Sequence, residues 1–247
     1  RLKFNNILPY VESTRAALKY MVDWKKPKSA CIMYQDDEYG KNVYDGFTQQ
    51  LEAMKMKPVS VTTYKRGASD FSAQAAKMKS DGCDLVVLGT VIRETIGLMA
   101  EAKKIGFNPI WLGATPVNVL EIPALGKELV EGLYSAAGFE IPYRDTAKGP
   151  VKEWAEAYFK MFNSEPNTQA VIGYNAIMTF AFYAQLAGKD LTGKSFLDAL
   201  ESGKEFRDIF NSPPSKFTKT NHLATTITQV QEVKNGRWVV VKDGLSF

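Results

Sequence analysis

The chain has 247 residues, of which 45% are hydrophobic and 23% charged, and its 31 basic and 27 acidic side chains give a net charge of +4. This composition is ordinary for a globular protein and leaves room for one or two domains. The charge is spread along the chain without a basic run that carries interleaved aromatics, which argues against nucleic acid as a partner.

The start of the chain and its most apolar stretch are informative about processing and about membrane insertion. The chain begins at Arg1 with neither an initiator methionine nor a leader, so we interpret it as processed or truncated. Residues 170–188 approach the length of a membrane span, but they include Asn175 and Gln185 and lack a flanking basic belt. A core helix is therefore predicted there, without direct membrane insertion.

The first part of the chain alternates between helix-length and strand-length segments. A helix is predicted at 10–23 and ends before Pro27, because the residue before a proline is pushed out of the helical conformation. Five short runs follow whose β-branched and aromatic residues favour strands. These runs are 29–34, 58–64, 84–90, 109–113 and 132–138. The pattern predicts an α/β fold with a doubly wound, mostly parallel sheet and flanking helices.

Three loops of this predicted sheet are candidates for a binding site. Ligands bind such sheets beyond the carboxyl ends of the strands, where the strand order reverses. The site is therefore expected at 36–39, 90–93 and 114–116. Asp36 and Asp37 precede a predicted helix, and capping that helix is the more ordinary role for either of them.

The second part of the chain is mainly helical. Helices are predicted at 151–162, 168–186 and 195–200, and a terminal hairpin pairs 225–233 with 238–242 through an Asn-Gly turn. In the first of these helices Trp154, Tyr158 and Phe162 share an apolar face that has no sheet of its own to cover. We expect another segment or another copy to cover it, because soluble monomers rarely expose such a patch.

The two cysteines leave two interpretations open. Cys31 and Cys83 begin strands that are neighbours in the usual doubly wound order, so a single bridge between them is conceivable. Two buried, inert thiols are the more ordinary outcome for an isolated pair.

The sequence contains no recognisable catalytic or metal-binding motif. Its single histidine, His222, lies in a polar stretch and is expected to face solvent or to form a local hydrogen bond. Neither a nucleophile elbow, nor a dinucleotide fingerprint, nor a phosphate-cradling loop is present. We therefore predict a protein that binds a ligand without catalysis and without a metal or cofactor.

Short motifs recur along almost the whole chain in a fixed order. Each is weak by itself, but their combined order and spacing are fairly specific. They are Tyr34–Gly40, Asp70–Ser72, Asp81–Val87, Ala102–Gly106, Gly173–Ile177 and Ala187–Gly188. In this combination the chain resembles the type I periplasmic solute-binding proteins of branched-chain amino-acid ABC importers, the leucine/isoleucine/valine-binding group.

The resemblance implies a two-lobed receptor in which three crossovers join the lobes and a ligand is closed between them. Residues 24–140 would form the second lobe, 141–220 would return as helices to an incomplete first lobe, and 221–247 would return to the second lobe and the hinge. The early part of the first lobe is missing from this plan. A periplasmic location and a membrane permease as partner are further implications.

The resemblance also implies site residues. Tyr39 matches a tyrosine that lines the cleft in relatives, although simple packing is the alternative. Val91 stands where amino-acid binders often have an aromatic lid residue. Thr115 stands where they have the acidic residue that pairs with the ligand ammonium. Without that carboxylate a buried ammonium would lack a charge partner, so an aromatic or aliphatic carboxylate becomes the favoured ligand.

Two more residues are candidates by position. Arg93 could offer a bidentate fork to a carboxylate, or it could be a surface arginine that pairs with Glu94 or Asp37. Gln169 aligns loosely with a pocket wall, or it is only a polar residue at a helix start.

The main functional hypothesis is therefore the substrate-binding component of an ABC importer for a small carboxylate or an amino-acid-like solute. A ligand-sensing regulatory or receptor domain of the same fold is the alternative, since fold alone does not separate them. An enzyme is disfavoured because no nucleophile, base or cofactor loop was found.

Overall fold

The computed structural model of the chain describes residues 2–247, which form two compact units. The sheet unit comprises Pro9–Ala137 and Ile227–Phe247, and the helical unit comprises 2–8 and Gly138–Thr226. The chain passes from one unit to the other three times, after Leu8, Ala137 and Thr226.

The sheet unit contains a seven-stranded sheet, which confirms the predicted α/β fold. The first five strands are parallel, and the last two form an antiparallel hairpin added at β5. The order is β2-β1-β3-β4-β5-β6-β7. The strands are β1 Ala30–Gln35, β2 Ser60–Tyr64, β3 Leu85–Gly89, β4 Ile110–Gly113, β5 Tyr134–Ala137, β6 Thr228–Lys234 and β7 Arg237–Leu245.

Five helices belong to the sheet unit: α1 Tyr10–Lys25, α2 Glu38–Ala53, α3 Ser72–Ser80, α4 Ile92–Lys104 and α5 Glu121–Gly126. Leu18 and Met21 of α1 and Phe47 of α2 share one buried core with strand residues such as Ile32. This shared core places all of α1 in the sheet unit, whereas the predicted second lobe begins at residue 24. Nearly all side chains of β1, β3 and β5 are buried as well, as expected for parallel strands covered on both faces.

A disulfide joins Cys31 to Cys83, with the two Cα atoms 5.9 Å apart. Of the two interpretations that the sequence left open, the structure shows the bridge and not the more ordinary pair of separate thiols. Cys31 is the second residue of β1, Cys83 lies just before β3, and these two strands are hydrogen-bonded neighbours. The pairing of the strands therefore brings two sulfurs together across 52 residues of sequence.

The helical unit contains α6 Gly149–Phe162, α7 Thr168–Ala187 and α8 Gly193–Leu200. Asn167 caps α7 by accepting a hydrogen bond from the Ala170 amide, and a capping box begins α8. His222 stacks on Phe4 and lies 3.2 Å from the Glu201 carboxylate, so it forms local contacts.

The apolar surface of the helical unit differs from the one predicted. Trp154 and Tyr158 of α6 are half-buried, because Trp154 packs on Tyr174 and Phe210 and Tyr158 packs on Trp154. At the end of α6, Met161 is 75% and Phe162 58% exposed, and α7 carries further exposed apolar side chains. Ile177 is 67% and Phe180 54% exposed, and Met178 and Leu186 are exposed too.

Helix α7 was predicted as a core helix, but only 17% of its most apolar 18-residue window is buried. With a mean hydropathy of 1.3 over that window, it is the one helix among residues 2–247 that is long and apolar enough to cross a membrane. Length and composition are weak grounds for a span, because core helices of soluble proteins meet the same criteria.

Candidate functional site

Three loops meet at the carboxyl edge of the parallel sheet. They follow β1, β3 and β4, which are consecutive neighbours in the sheet. From β1 the chain goes to β2 on one side and then to β3 on the other, so the strand order reverses between β1 and β3. This reversal is the position at which open α/β sheets bind their ligands. The adjacency expected for the three loops is therefore present.

Tyr39 joins two of these loops. It lies in the first turn of α2, is half-buried, and donates a hydrogen bond from its Oη to the carbonyl oxygen of Thr90 at 2.9 Å. Its ring also meets the ring of Tyr10 edge-on at 5.0 Å. Burial, followed by the neighbouring Tyr64, Tyr10 and Asp37, raises the pKa of Tyr39 well above its ordinary value. The hydroxyl therefore stays protonated and links the β1 and β3 loops at the point of reversal.

The start of α2 holds Tyr39 in place. Asp37 is the N-cap residue, and its carboxylate accepts a hydrogen bond from the Gly40 amide at 3.0 Å. Burial opposes ionisation of Asp37, but hydrogen bonds from Gly40 and Gln35 and the charge of Arg66 hold its pKa below the ordinary value. Asp37 is thus a helix cap, the ordinary role considered for it.

The loop after β3 contains Val91 and Arg93. Val91 is half-buried and is the N-cap residue of α4. The exposed guanidinium of Arg93 donates to Glu94 at 3.1 Å, and the Glu94 side chain is buried. Arg93 therefore forms the ion pair with Glu94 that was considered as the alternative to ligand binding. This contact through Nη2 uses only part of the guanidinium, which has five N–H donors.

Thr115 follows β4 directly and begins a short 3-10 turn, Thr115–Val117. Its side chain is half-buried, and its carbonyl oxygen accepts a hydrogen bond from the Asn118 amide at 3.1 Å. The turn packs closely on the strand end, because a Cβ added at Gly113 would lie 2.6 Å from the Cβ of Val117. The position is thus well defined, and its side chain is uncharged.

Gln169 belongs to the helical unit, whereas the other four site candidates belong to the sheet unit. It is exposed and lies in the first turn of α7. Its role as a pocket wall stays a prediction.

The sequence reasoning missed a buried polar cluster beside Thr115. Asn118 donates from Nδ2 to Gln231 at 3.1 Å, and Gln231 donates from Nε2 to Gln229 at 3.2 Å. Ser135 Oγ lies 3.1 Å from the carbonyl oxygens of both Gly113 and Ala114. Gln229 and Gln231 alternate along β6, and that spacing was the available signal. A polar alternation normally marks the solvent face of a strand, however, so the pattern by itself does not indicate a buried cluster.

Within residues 2–247, no group of three or more His, Cys, Asp or Glu side chains is placed to hold a metal ion. The polar groups at the sheet edge include hydroxyls, amides and Arg93, together with the carboxylates of Asp37, which caps α2, and Glu94, which pairs with Arg93. The hydroxyls, amides and arginine can bind and orient a small anion.

Comparison with known proteins identifies relatives over almost the full length. The profile of the periplasmic binding protein family matches residues 2–237. The Leu/Ile/Val-binding protein homolog 3 of Brucella melitensis is 24% identical over 221 residues, which cover 89% of this chain and 58% of that protein. A leucine-, isoleucine-, valine-, threonine- and alanine-binding protein of Pseudomonas aeruginosa is 24% identical over 172 residues, covering 69% of this chain and 45% of that protein. The chain thus spans about half the length of these curated relatives.

Solved structures share the fold. A branched-chain amino acid ABC transporter structure from Thermus thermophilus with bound valine has a TM-score of 0.84 at 20% identity, covering 96% of this chain and 65% of that one. The fatty acid ABC transporter substrate-binding protein of Thermomonospora curvata has a TM-score of 0.80 at 22% identity, covering 97% and 64%. The resemblance derived from the short motifs is confirmed, and the chain belongs to the periplasmic binding protein family.

Proposed function

We propose that the chain is part of the substrate-binding component of an ABC importer, and that the protein traps a small organic carboxylate by hinge closure. Family membership and the three crossings between the units support this proposal. A membrane permease would be the partner that receives the closed form. The named relatives are solute-binding proteins, which supports a function without catalysis.

We further propose an exported, periplasmic protein. The buried Cys31–Cys83 disulfide supports that location, because structural disulfides persist in oxidising compartments and are rare in the cytosol.

The observation that carries the choice of ligand is Thr115. It stands at the carboxyl end of β4, where the resemblance implies an acidic partner for a ligand ammonium, and it offers a hydroxyl without charge. A trapped ammonium would then be desolvated without a counter-charge, whereas an amine-free acid would not suffer that penalty. The fatty-acid-binding relative of Thermomonospora curvata gives a precedent for such a ligand in this fold.

The remaining candidates have complementary roles in this proposal. Tyr39 would line the cleft beside the point of reversal, and Val91 would contact the apolar part of the ligand. Arg93 would offer its remaining donors to the carboxylate while Glu94 holds one nitrogen. Gln169 would contribute from the helical unit.

The first prediction tests the ligand class by thermal shift. The panel contains L-leucine, benzoate, cinnamate and hexanoate, applied to the 247-residue chain and to any longer natural polypeptide that contains it. At a concentration of 100 Kd an amine-free acid is expected to stabilise the protein by about 2.7 kcal/mol, while L-leucine has little effect. Stabilisation by L-leucine alone would contradict the ligand class.

Thr115→Glu is the matching specificity change. The new carboxylate is expected to repel benzoate and hexanoate and to lower their affinity at least about tenfold, while L-leucine gains a charge partner. Thr115→Gln is the control, because it adds similar volume without charge. Equal losses in both variants would show that size rather than charge acts at this position.

The second prediction concerns the exposed face of α7. A groove of about 460 Å³ in the helical unit lies among apolar side chains that include Leu2, Phe4, Phe180 and Phe196. We propose that a further sheet segment of the same polypeptide covers this surface in the complete protein, since the curated relatives are about twice as long as the matched chain. Packing of helices on a sheet would remove the apolar patch from water.

Accordingly, the 247-residue chain alone is expected to self-associate in sedimentation velocity and to bind a hydrophobic dye. The double variant Ile177→Ser/Phe180→Ser should reduce both effects. The control is Val59→Ser/Val61→Ser, which removes two exposed apolar side chains from the sheet unit and should leave association unchanged. A monomeric parent chain with weak dye binding would speak against the proposed cover.

A further inference from the structure

Hydrogen bonds with the terminal hairpin hold the turn that contains Thr115. Asn118, which closes the turn through its backbone amide, donates from its side chain to Gln231 of β6. The next residue, Val119, accepts a hydrogen bond at its carbonyl oxygen from the indole Nε1 of Trp238 in β7, at 2.9 Å. Two consecutive residues of the loop after β4 are thus tied to residues more than a hundred positions later in the chain.

The contacts continue toward the place where the chain enters the sheet unit from the helical unit. Gln231 donates to Gln229, which lies two residues after the unit boundary at Ile227. Thr228, between that boundary and Gln229, donates from Oγ1 to the carbonyl oxygen of Ala137 at 3.0 Å. Ala137 is the last residue of the sheet unit before the preceding crossing. The amide chain therefore connects the Thr115 turn to both crossings at the edge of the sheet unit.

Burying amide side chains costs folding free energy, so this arrangement indicates that the amides fix the geometry of the loop. Asn118, Gln229 and Gln231 are all buried, and buried amides destabilise a fold unless they are hydrogen-bonded. Apolar side chains could fill the same space without that requirement. Amide groups, in contrast, fix distance and direction, so a connected chain of them holds a loop in one orientation.

We propose that Gln231 and Asn118 are positioning residues for the Thr115 turn, and that they couple its orientation to the crossing segments at Ala137 and Thr228. The coupling to ligand rests on the proposed function, because it requires that Thr115 faces the ligand. The positioning itself does not depend on ligand. The two can therefore fail separately.

The first test is hydrogen–deuterium exchange of the 247-residue chain without ligand. Gln231→Met keeps the length of the side chain but removes its hydrogen bonds, and the amides of 117–119 are expected to exchange about tenfold faster. Gln50→Met is the matched control, because Gln50 is a buried glutamine on α2 that lies outside this cluster. Exchange at 117–119 should stay unchanged in the control. Unchanged exchange in Gln231→Met would overturn the proposal.

Asn118→Leu removes the same hydrogen bond by changing its donor instead of its acceptor. It should reproduce the faster exchange, and it decides the matter if Gln231→Met fails to fold. Retention of parental exchange in a folded Asn118→Leu variant would likewise overturn the proposal.

The second test is a double-mutant cycle on benzoate affinity with Gln231→Met and Thr115→Val. If Gln231 acts through the Thr115 turn, its substitution should weaken benzoate binding about tenfold in the parent and have little effect in the Thr115→Val background. Equal effects in both backgrounds would reject the coupling. No effect of Thr115→Val by itself would reject the proposed ligand site, while the exchange experiment would still decide whether the turn is positioned by Gln231.

Discussion

Loss of the Cys31–Cys83 disulfide is expected to lower the free energy of unfolding by about 4 kcal/mol. The bridge closes a loop with a sequence separation of 52 residues, and cross-linking a loop of that length removes much of the entropy of the unfolded chain. The bridge also joins the starts of two central strands, so the unfolded state loses freedom in the segment that contains β1, α2, β2 and α3. Urea unfolding of the oxidised protein and of the Cys31→Ala/Cys83→Ala variant measures the difference.

Reductant supplies the control for this experiment. It should destabilise the parent protein once the buried bridge has been opened under unfolding conditions, and it should have no effect on the double alanine variant. Thiol labelling in denaturant reports whether the bridge was present at the start. Identical unfolding curves for the oxidised and the fully reduced parent would contradict the expectation.

Gly40→Ala is expected to destabilise the protein by about 3 kcal/mol or more, at the upper end of what overpacking costs. Gly40 follows Tyr39 in the first turn of α2, and a Cβ at this position would lie 1.8 Å from the carbonyl oxygen of Gln35. That neighbour is backbone at the end of a central strand, so it cannot turn aside as a flexible side chain could. Relief requires the start of α2 to move away from β1.

The same movement would disturb the candidate site. It would weaken the cap made by Asp37 and shift the Tyr39 hydroxyl from the Thr90 carbonyl. Gly173→Ala is the matched control, because this glycine is also helical and a Cβ there meets nothing within 4 Å. Alanine should be neutral or slightly stabilising at residue 173, since it lowers the entropy of the unfolded chain. Urea unfolding of both variants tests the pair, and similar stability would show that α2 accommodates the methyl group freely.

Local patterns were enough to predict the order of strands and helices in the sheet unit. Short β-branched runs between helix-length segments specify a parallel sheet, because only right-handed crossovers place such helices back on the sheet. The observed strands begin and end within about two residues of the predicted ones in most cases, and the Asn-Gly turn correctly indicated the terminal hairpin. The position of Tyr39 at the carboxyl edge followed from the same reasoning.

These local patterns could not predict which distant segments contact one another. A sequence does not show whether Cys31 and Cys83 approach closely enough to bond, whether Arg93 turns to Glu94, or how much of α7 stays exposed. Each outcome depends on which side chains the tertiary structure places within a few ångströms of one another. The domain boundary is a similar case, since packing of α1 on α2 and on strands of the sheet assigns this helix to the sheet unit.

By itself the sequence determined the class of fold, the loops that could bind a ligand and the family resemblance, because periodicity and short motifs are properties of neighbouring residues. Only the tertiary structure decided that Gln229 and Gln231 are buried and hold the turn of Thr115 through Asn118. A shift of β6 by one residue in register would exchange these glutamines with Val230, which is buried on the other face of the strand. Their burial comes from the pairing of β6 with β5, and that pairing joins strands about ninety residues apart in the chain.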